Sequence, residues 1–156
     1  MNKRKKNAIA ALFIAVLAFC LFIFINSSLT AEQSSDISGI FSGAISRLLS
    51  MLGIAHTEYG VSFFVRKSAH FLGFSFIALL ISMLIYKIKR SYTLLLLSLP
   101  ICFAIALCDE FLIQASSAGR SPEWRDVLID LCGALFAALL FALITYRKTK
   151  KGSETK

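Results

Sequence analysis

The sequence predicts an all-α fold: an integral membrane four-helix bundle, with an extracellular amphipathic surface helix between the first and second membrane helices. Three observations carry this. Of 156 residues 57% are hydrophobic, and the mean hydropathy of +0.74 lies far above a soluble average. Four apolar runs approach or reach the roughly 20 helical residues that cross a hydrocarbon core. The basic residues gather at alternate ends of those runs. The length fits one domain, residues 1–156.

The elements follow in order. The first helix, about 8–25, contains no charge. Its apolar core is longer than that of a secretory signal, which predicts a retained anchor. Next, Ile37, Ile40, Phe41, Ala44, Ile45, Leu48, Leu49 and Leu52 recur at steps of three and four, with Ser38, Ser42, Ser46 and Ser50 marking the other side. That is an amphipathic helix at about 36–52. Ser34, Ser35 or Asp36 is its expected cap, Gly53 its expected end, and the outer leaflet or a lid over the bundle its expected position. The second membrane helix, about 69–86, holds His70 as its one ionisable group besides terminal Tyr86. The third, about 92–114, starts at Tyr92 and runs through Asp109 and Glu110; Pro100 in its middle predicts a kink. The fourth, about 127–146, has Asp130 near its start. The loop at Lys87 to Ser91 is short enough to make its two helices antiparallel neighbours. Gly119 and Pro122 break the chain between the last two helices.

Charge sets the expected orientation. Lys3, Arg4, Lys5 and Lys6, then Lys87, Lys89 and Arg90, then Arg147, Lys148, Lys150, Lys151 and Lys156 all fall on one side, twelve of the seventeen basic residues. Both termini are therefore expected in the cytoplasm of a multi-pass cell-membrane protein. The net charge of +8 reads as a topology signal and an attraction to anionic lipid; nucleic acid is not expected as a partner. Cys20, Cys102, Cys108 and Cys132 lie in apolar runs with no metal-binding spacing, so they read as packed thiols.

Against this apolar background the polar residues stand out. An ionisable group at a membrane helix centre costs roughly 2.5–3.5 kcal/mol on insertion scales. The predicted topology brings three such groups to one depth. Arg66, Lys67 and His70 open one helix; Asp109, Glu110 and Gln114 close the next; Asp126 and Asp130 open the last. Within each group, spacings of three or four residues put side chains on one face. Arg120 and Arg125 sit in the loop above, placed for an anionic group or for Asp109 or Glu110. His70 and Glu110 are expected within reach of each other or of a shared ligand. Two readings stand: a closed network that staples the helices, and an outward-facing pocket.

The stretches "VRKSAHFLGFSFIALL" and "DEFLIQASSAGRSPEWRDVLIDLCGALFA" resemble the VanZ-like family, in a match covering roughly residues 26–140. Lys67 and His70 take its basic and His positions. Asp109, Glu110 and Gln114 take its acidic-Gln motif, Gly119 and Arg120 its Gly-Arg loop, and Asp126 and Gly133 its last motif. Asp130 stands where the pattern usually has Asn. The resemblance implies a single VanZ-like membrane domain. Its founding member is associated with low-level resistance to teicoplanin, a lipoglycopeptide, so antibiotic resistance is the implied context.

The expected function is binding of membrane lipid or a lipid-linked, anionic cell-wall intermediate, with Arg66, Lys67, Arg120 and Arg125 on the phosphate and the surface helix over the acyl region. The alternative is an outer-leaflet enzyme with His70, Glu110 or Asp109 in acid–base or metal-assisted chemistry. No spacing identifies a metal site, and the sequence names no cofactor.

Overall fold

The computed structural model describes residues 2–91 and 93–154. Tyr92, the expected start of the third membrane helix, and Lys156, the last expected cytoplasmic charge, lie outside the described residues. Among those described there are five α-helices and no strand: α1 Lys3–Ser27, α2 Ala31–Met51, α3 Glu58–Lys89, α4 Ser98–Cys108 and α5 Trp124–Glu154. Four helical stretches are long and apolar enough to cross a membrane: α1, α3, Leu94–Ser116 and Trp124–Lys150 within α5. Their outer surfaces carry large exposed apolar side chains such as Phe13, Leu21, Phe64, Leu72, Leu128 and Phe136. In water such a surface would aggregate; in lipid it is already solvated. The fold is that of a multi-pass membrane protein.

α3 is the centre. Phe74, Ile77, Ala78 and Ile81 on it meet Cys102 and Ala106 of α4, Val127, Ala134 and Ala137 of α5, and Ile23 of α1. The α3–α5 seam is the tightest part. A Cβ on Gly133 would lie 2.2 Å from the Phe71 carbonyl oxygen, so only glycine lets the two backbones meet there. Lipid tails are as apolar as leucine, so membrane helices associate through close packing and hydrogen bonds, and small residues serve both. Ser75 completes the seam, its hydroxyl within hydrogen-bond distance of the carbonyls of Phe71 (2.7 Å) and Gly133 (2.9 Å).

The third crossing, expected as one helix, is built of four helical segments. It begins as a 3₁₀ turn, Thr93–Leu97, becomes α4, widens into a π turn at Asp109–Ile113, and ends in a 3₁₀ turn, Gln114–Ser116. Pro100 therefore falls in the first turn of α4 rather than in mid-helix. A missing N–H there removes little, because first-turn donors have no α-helical partner.

α2 departs from expectation at its start. Thr30 caps it four to six residues before the expected caps: its Oγ1 accepts from Gln33 N at 3.2 Å, and Gln33 Oε1 accepts from Thr30 N at 3.1 Å. That reciprocal pair satisfies two otherwise orphaned donors. Gly53 ends the helix as expected, at φ +69°, with Ile54 N donating to Leu49 O and Gly53 N to Ser50 O. Ser38 and Ser42 are buried, whereas Ile40, Phe41 and Leu48 are exposed. Ile37 and Phe41 also line a cavity shared with α1 and α3.

Candidate functional site

The buried polar residues collect where the last turn of α1, the middle of α3, the π turn and the first turns of α5 meet. The π turn and the residue after it position Asp109, Glu110 and Gln114. A π turn carries about 4.4 residues per turn, so side chains at i+4 and i+5 both come round over residue i. Gln114 is fourth from Glu110 and fifth from Asp109. Its Nε2 donates to Glu110 Oε2 at 2.6 Å and to Asp109 Oδ2 at 3.2 Å. Asp109, Glu110 and Gln114 are all buried. The expected sharing of a face by Glu110 and Gln114 holds; that Gln114 also reaches Asp109 follows from the wider turn and was not foreseen.

α3 and α5 supply the rest as a ladder. Lys67 pairs with Asp126, and three and four residues further on His70 Nδ1 lies 3.2 Å from Asp130 Oδ1. The partner of His70 is thus Asp130 and not Glu110 as expected. Glu110 turns instead to the α5 approach, where its Oε1 accepts from the backbone N–H of Glu123 at 2.7 Å. The reason is rotation: α3 and α5 run side by side through Gly133, which sets their polar turns face to face.

Arg120 is also placed differently. It was expected on an anion or on a carboxylate. Its Nη1 donates to Ser27 O at 2.9 Å and its Nη2 to Ser34 Oγ at 2.9 Å, tying the last loop to the α1–α2 corner. Burial pulls its guanidinium below the ordinary value, while nearby Asp109 and Glu110 pull the other way. It remains charged at any accessible pH. Arg125 is exposed and joins neither the cluster nor a cavity described here. Cys108 and Cys132 are exposed free thiols.

One buried participant was missed. Ser27, at the end of α1, donates its hydroxyl to Asp109 Oδ2 at 2.9 Å. The "NSS" closing the first apolar run was its only signal, and serine there is as common in an interfacial loop as in a site.

Two cavities adjoin the cluster. One, about 270 Å³, opens between α1, α2 and α3, with Phe19, Phe22 and Ile23, Ile37 and Phe41, and Val65 and Phe74 as apolar walls; Arg66, His70 and Arg120 are its charged and titratable lining. The other is a larger polar cleft of about 1050 Å³, lined by Ser35, Gly39, Ser42, Gly43 and Ser46 of α2, by Arg47 and His56, and by Glu58 and Ser62 of α3. α2 divides them: its Phe41 side faces the greasy cavity and its Ser42 side the polar cleft. Arg66 lines both.

Four crossings closed around a buried carboxylate–imidazole cluster define a class, the multi-pass membrane proteins with a polar site set into the bundle. Residues 11–145 match the family described as VanZ/LLP1, which is most of the chain, and the protein belongs to that family. No curated protein and no solved structure matches it.

Proposed function

We propose that the protein binds an anionic, lipid-linked molecule of the cell envelope at the outer face of the membrane. In this reading both termini are cytoplasmic, α2 is extracellular, and the polar end of the bundle opens outward. The observation that carries it is Arg66, whose side chain lines an apolar cavity and a polar cleft at once. An amphiphile needs that arrangement: a chain among Phe19, Phe22 and Phe41, a hydrated head among the serines of α2, and a phosphate between them at a cation. Arg66 suits the phosphate, because guanidinium offers paired donors to its oxygens. Arg120 adds positive potential while its own donors hold the corner. The positive-inside rule supports the orientation. The family's link to teicoplanin makes glycopeptide susceptibility the natural cellular readout.

A second reading is favoured by the two α3–α5 pairs, Lys67 with Asp126 and His70 with Asp130: the cluster as a staple. In that case the cavities need no occupant.

The test is thermal stabilisation of the purified full chain by a polyprenyl phosphate, phosphatidylglycerol or phosphatidylcholine. Stabilisation by the anionic lipids and not by phosphatidylcholine is expected, with polyprenyl phosphate strongest if the cell-wall carrier is the source. Arg66→Ala should weaken it about tenfold, the equivalent of about 1.4 kcal/mol. Equal response to all three lipids, or an unchanged Arg66→Ala, defeats the proposal. Orientation is checked in whole cells: Glu123→Cys should react with an impermeant thiol reagent. Labelling only after permeabilisation reverses the topology.

A further inference from the structure

The polar cluster contains an imbalance that neither the lipid reading nor the staple reading resolves. Asp109 and Asp130 are both completely buried. Each has one oxygen engaged and one without a partner: Oδ1 of Asp109 and Oδ2 of Asp130. Both hydrogen bonds to Asp109, from Ser27 and Gln114, fall on its Oδ2, and both donors are neutral. Two nearby cations are committed elsewhere, Lys67 to Asp126 and Arg120 to Ser27 and Ser34. His70 alone faces Asp130. Buried carboxylates without compensating charge are costly, and an orphaned buried oxygen requires an explanation such as a water or an ion.

His70, Asp109 and Asp130 each present one ligand atom within 4.8 Å of the other two. In a tetrahedral site, ligands at about 2.0–2.2 Å from one metal lie about 3.3–3.6 Å apart, so the three side chains draw inward to close on one ion. We propose that His70, Asp109 and Asp130 hold a divalent first-row metal ion, zinc in chemical class, where α3, α5 and the π turn meet. A dication answers both carboxylates at once. One imidazole nitrogen with two carboxylate oxygens suits Zn²⁺ or its first-row neighbours better than Ca²⁺ or Mg²⁺, which take oxygen ligands. The outer support such a site needs is present: Ser27 and Gln114 orient Asp109 through the oxygen opposite its free one. An entry path exists too, since His70 lines the α1–α2–α3 cavity and is partly exposed to it.

The inference does not rest on lipid binding, and its test contains no lipid. The untagged full chain, stripped with a chelator and re-equilibrated with Zn²⁺ alone, is assayed for bound zinc by elemental analysis and for thermal stability. One ion per chain and a raised melting temperature are expected, reversed by chelator and not reproduced by Ca²⁺. Asp109→Asn and Asp130→Asn keep side-chain shape and should each weaken zinc binding about tenfold or more. Asp36→Asn, an exposed carboxylate on α2 away from the cluster, should bind as wild type does. Absence of zinc uptake by the wild type, or unchanged uptake by both Asn variants, overturns the site. Where those variants do not fold, Co²⁺ serves as a visible-spectrum probe of an otherwise wild-type chain carrying His56→Ala, which removes the only other histidine. Chelator-sensitive bands displaced by Zn²⁺ support the site; their absence overturns it.

Discussion

α2 and α5 both lie against α3 and both carry glycines on the way, but the glycines do opposite things. On α5, Gly133 is a point of backbone contact, with no room for a methyl group. On α2, Gly39 and Gly43 have nothing within 4 Å of where a Cβ would sit, because they border the open polar cleft. The same residue type marks a rigid seam in one place and an unfilled wall in the other. The seam fixes the height and rotation of Asp126 and Asp130 against Lys67 and His70. The hydrogen bonds that tie α2 to the last loop lie at its first turn: Ala31 N donates to Ala118 O at 3.1 Å, and Arg120 reaches Ser34. A rigid half carries the buried charges, and a lightly tethered half bounds the cavities.

That contrast breaks most directly at Gly133. Gly133→Ala drives a methyl group into the Phe71 carbonyl, and overpacking of this kind costs about 3 kcal/mol. A melt in detergent should show the whole bundle destabilised. A stable Gly133→Ala variant would mean that the seam is not the rigid half. Next in size is Glu110→Gln, which removes a charged acceptor from the Glu123 N–H and from Gln114. Hydrogen bonds to charged groups contribute about 1.5–3 kcal/mol, and most of that range should be lost from the melt.

The α2 side should respond more weakly and more locally. Thr30→Ala deletes the Oγ1 that accepts from Gln33 N, at about 1 kcal/mol, and keeps the Thr30 N–H that donates to Gln33 Oε1. Hydrogen exchange should rise in the first turns of α2 while α3 and α5 keep their protection; equal acceleration throughout would deny α2 its independence. The smallest effect, and of opposite sign, belongs to Gly43→Ala. With space available and helical backbone on both sides, alanine should stabilise by about 0.5–1 kcal/mol. A loss there would show that the cleft closes on α2.

The sequence was a good guide wherever one residue's chemistry decided the matter. Uncharged runs of Leu, Ile and Phe have one use at that length, and they became the four crossings. The spacings Lys67 to His70 and Asp126 to Asp130 survive as the two rungs between α3 and α5. It was a poor guide wherever the surroundings decide. For α2 the spacing marks two faces and leaves open whether the apolar one meets lipid or the bundle. Ser38 and Ser42 are buried and Ile40 and Leu48 exposed, while Phe41 lines the α1–α2–α3 cavity. Nothing in the spacing separates these cases, since amphipathicity shows that a helix has two faces and not which solvent each meets. The π turn was illegible for another reason. Apolar periodicity over Asp109–Ile113 is too short to tell 3.6 residues per turn from 4.4, so the reach of Gln114 to both carboxylates appears only in three dimensions. Ser27 was hidden because its partner lies eighty-two positions away.

The π turn also has a meaning in the history of the chain. A turn of that width is an α-helical turn that has accepted one residue too many, and helices take such an insertion without unravelling. Leu112, exposed on its outer side, has no buried surroundings to lose. A lineage lacking a single codon at that point would keep its four crossings and its seam, because both are made elsewhere. What it would lose is registration: the end of this one crossing would swing by about 100°, the rotation of one helical residue, and Gln114 would leave the aspartate and the glutamate it now joins. Membership of the fold and possession of the site are therefore separable by one indel, and relatives sharing the first need not share the second.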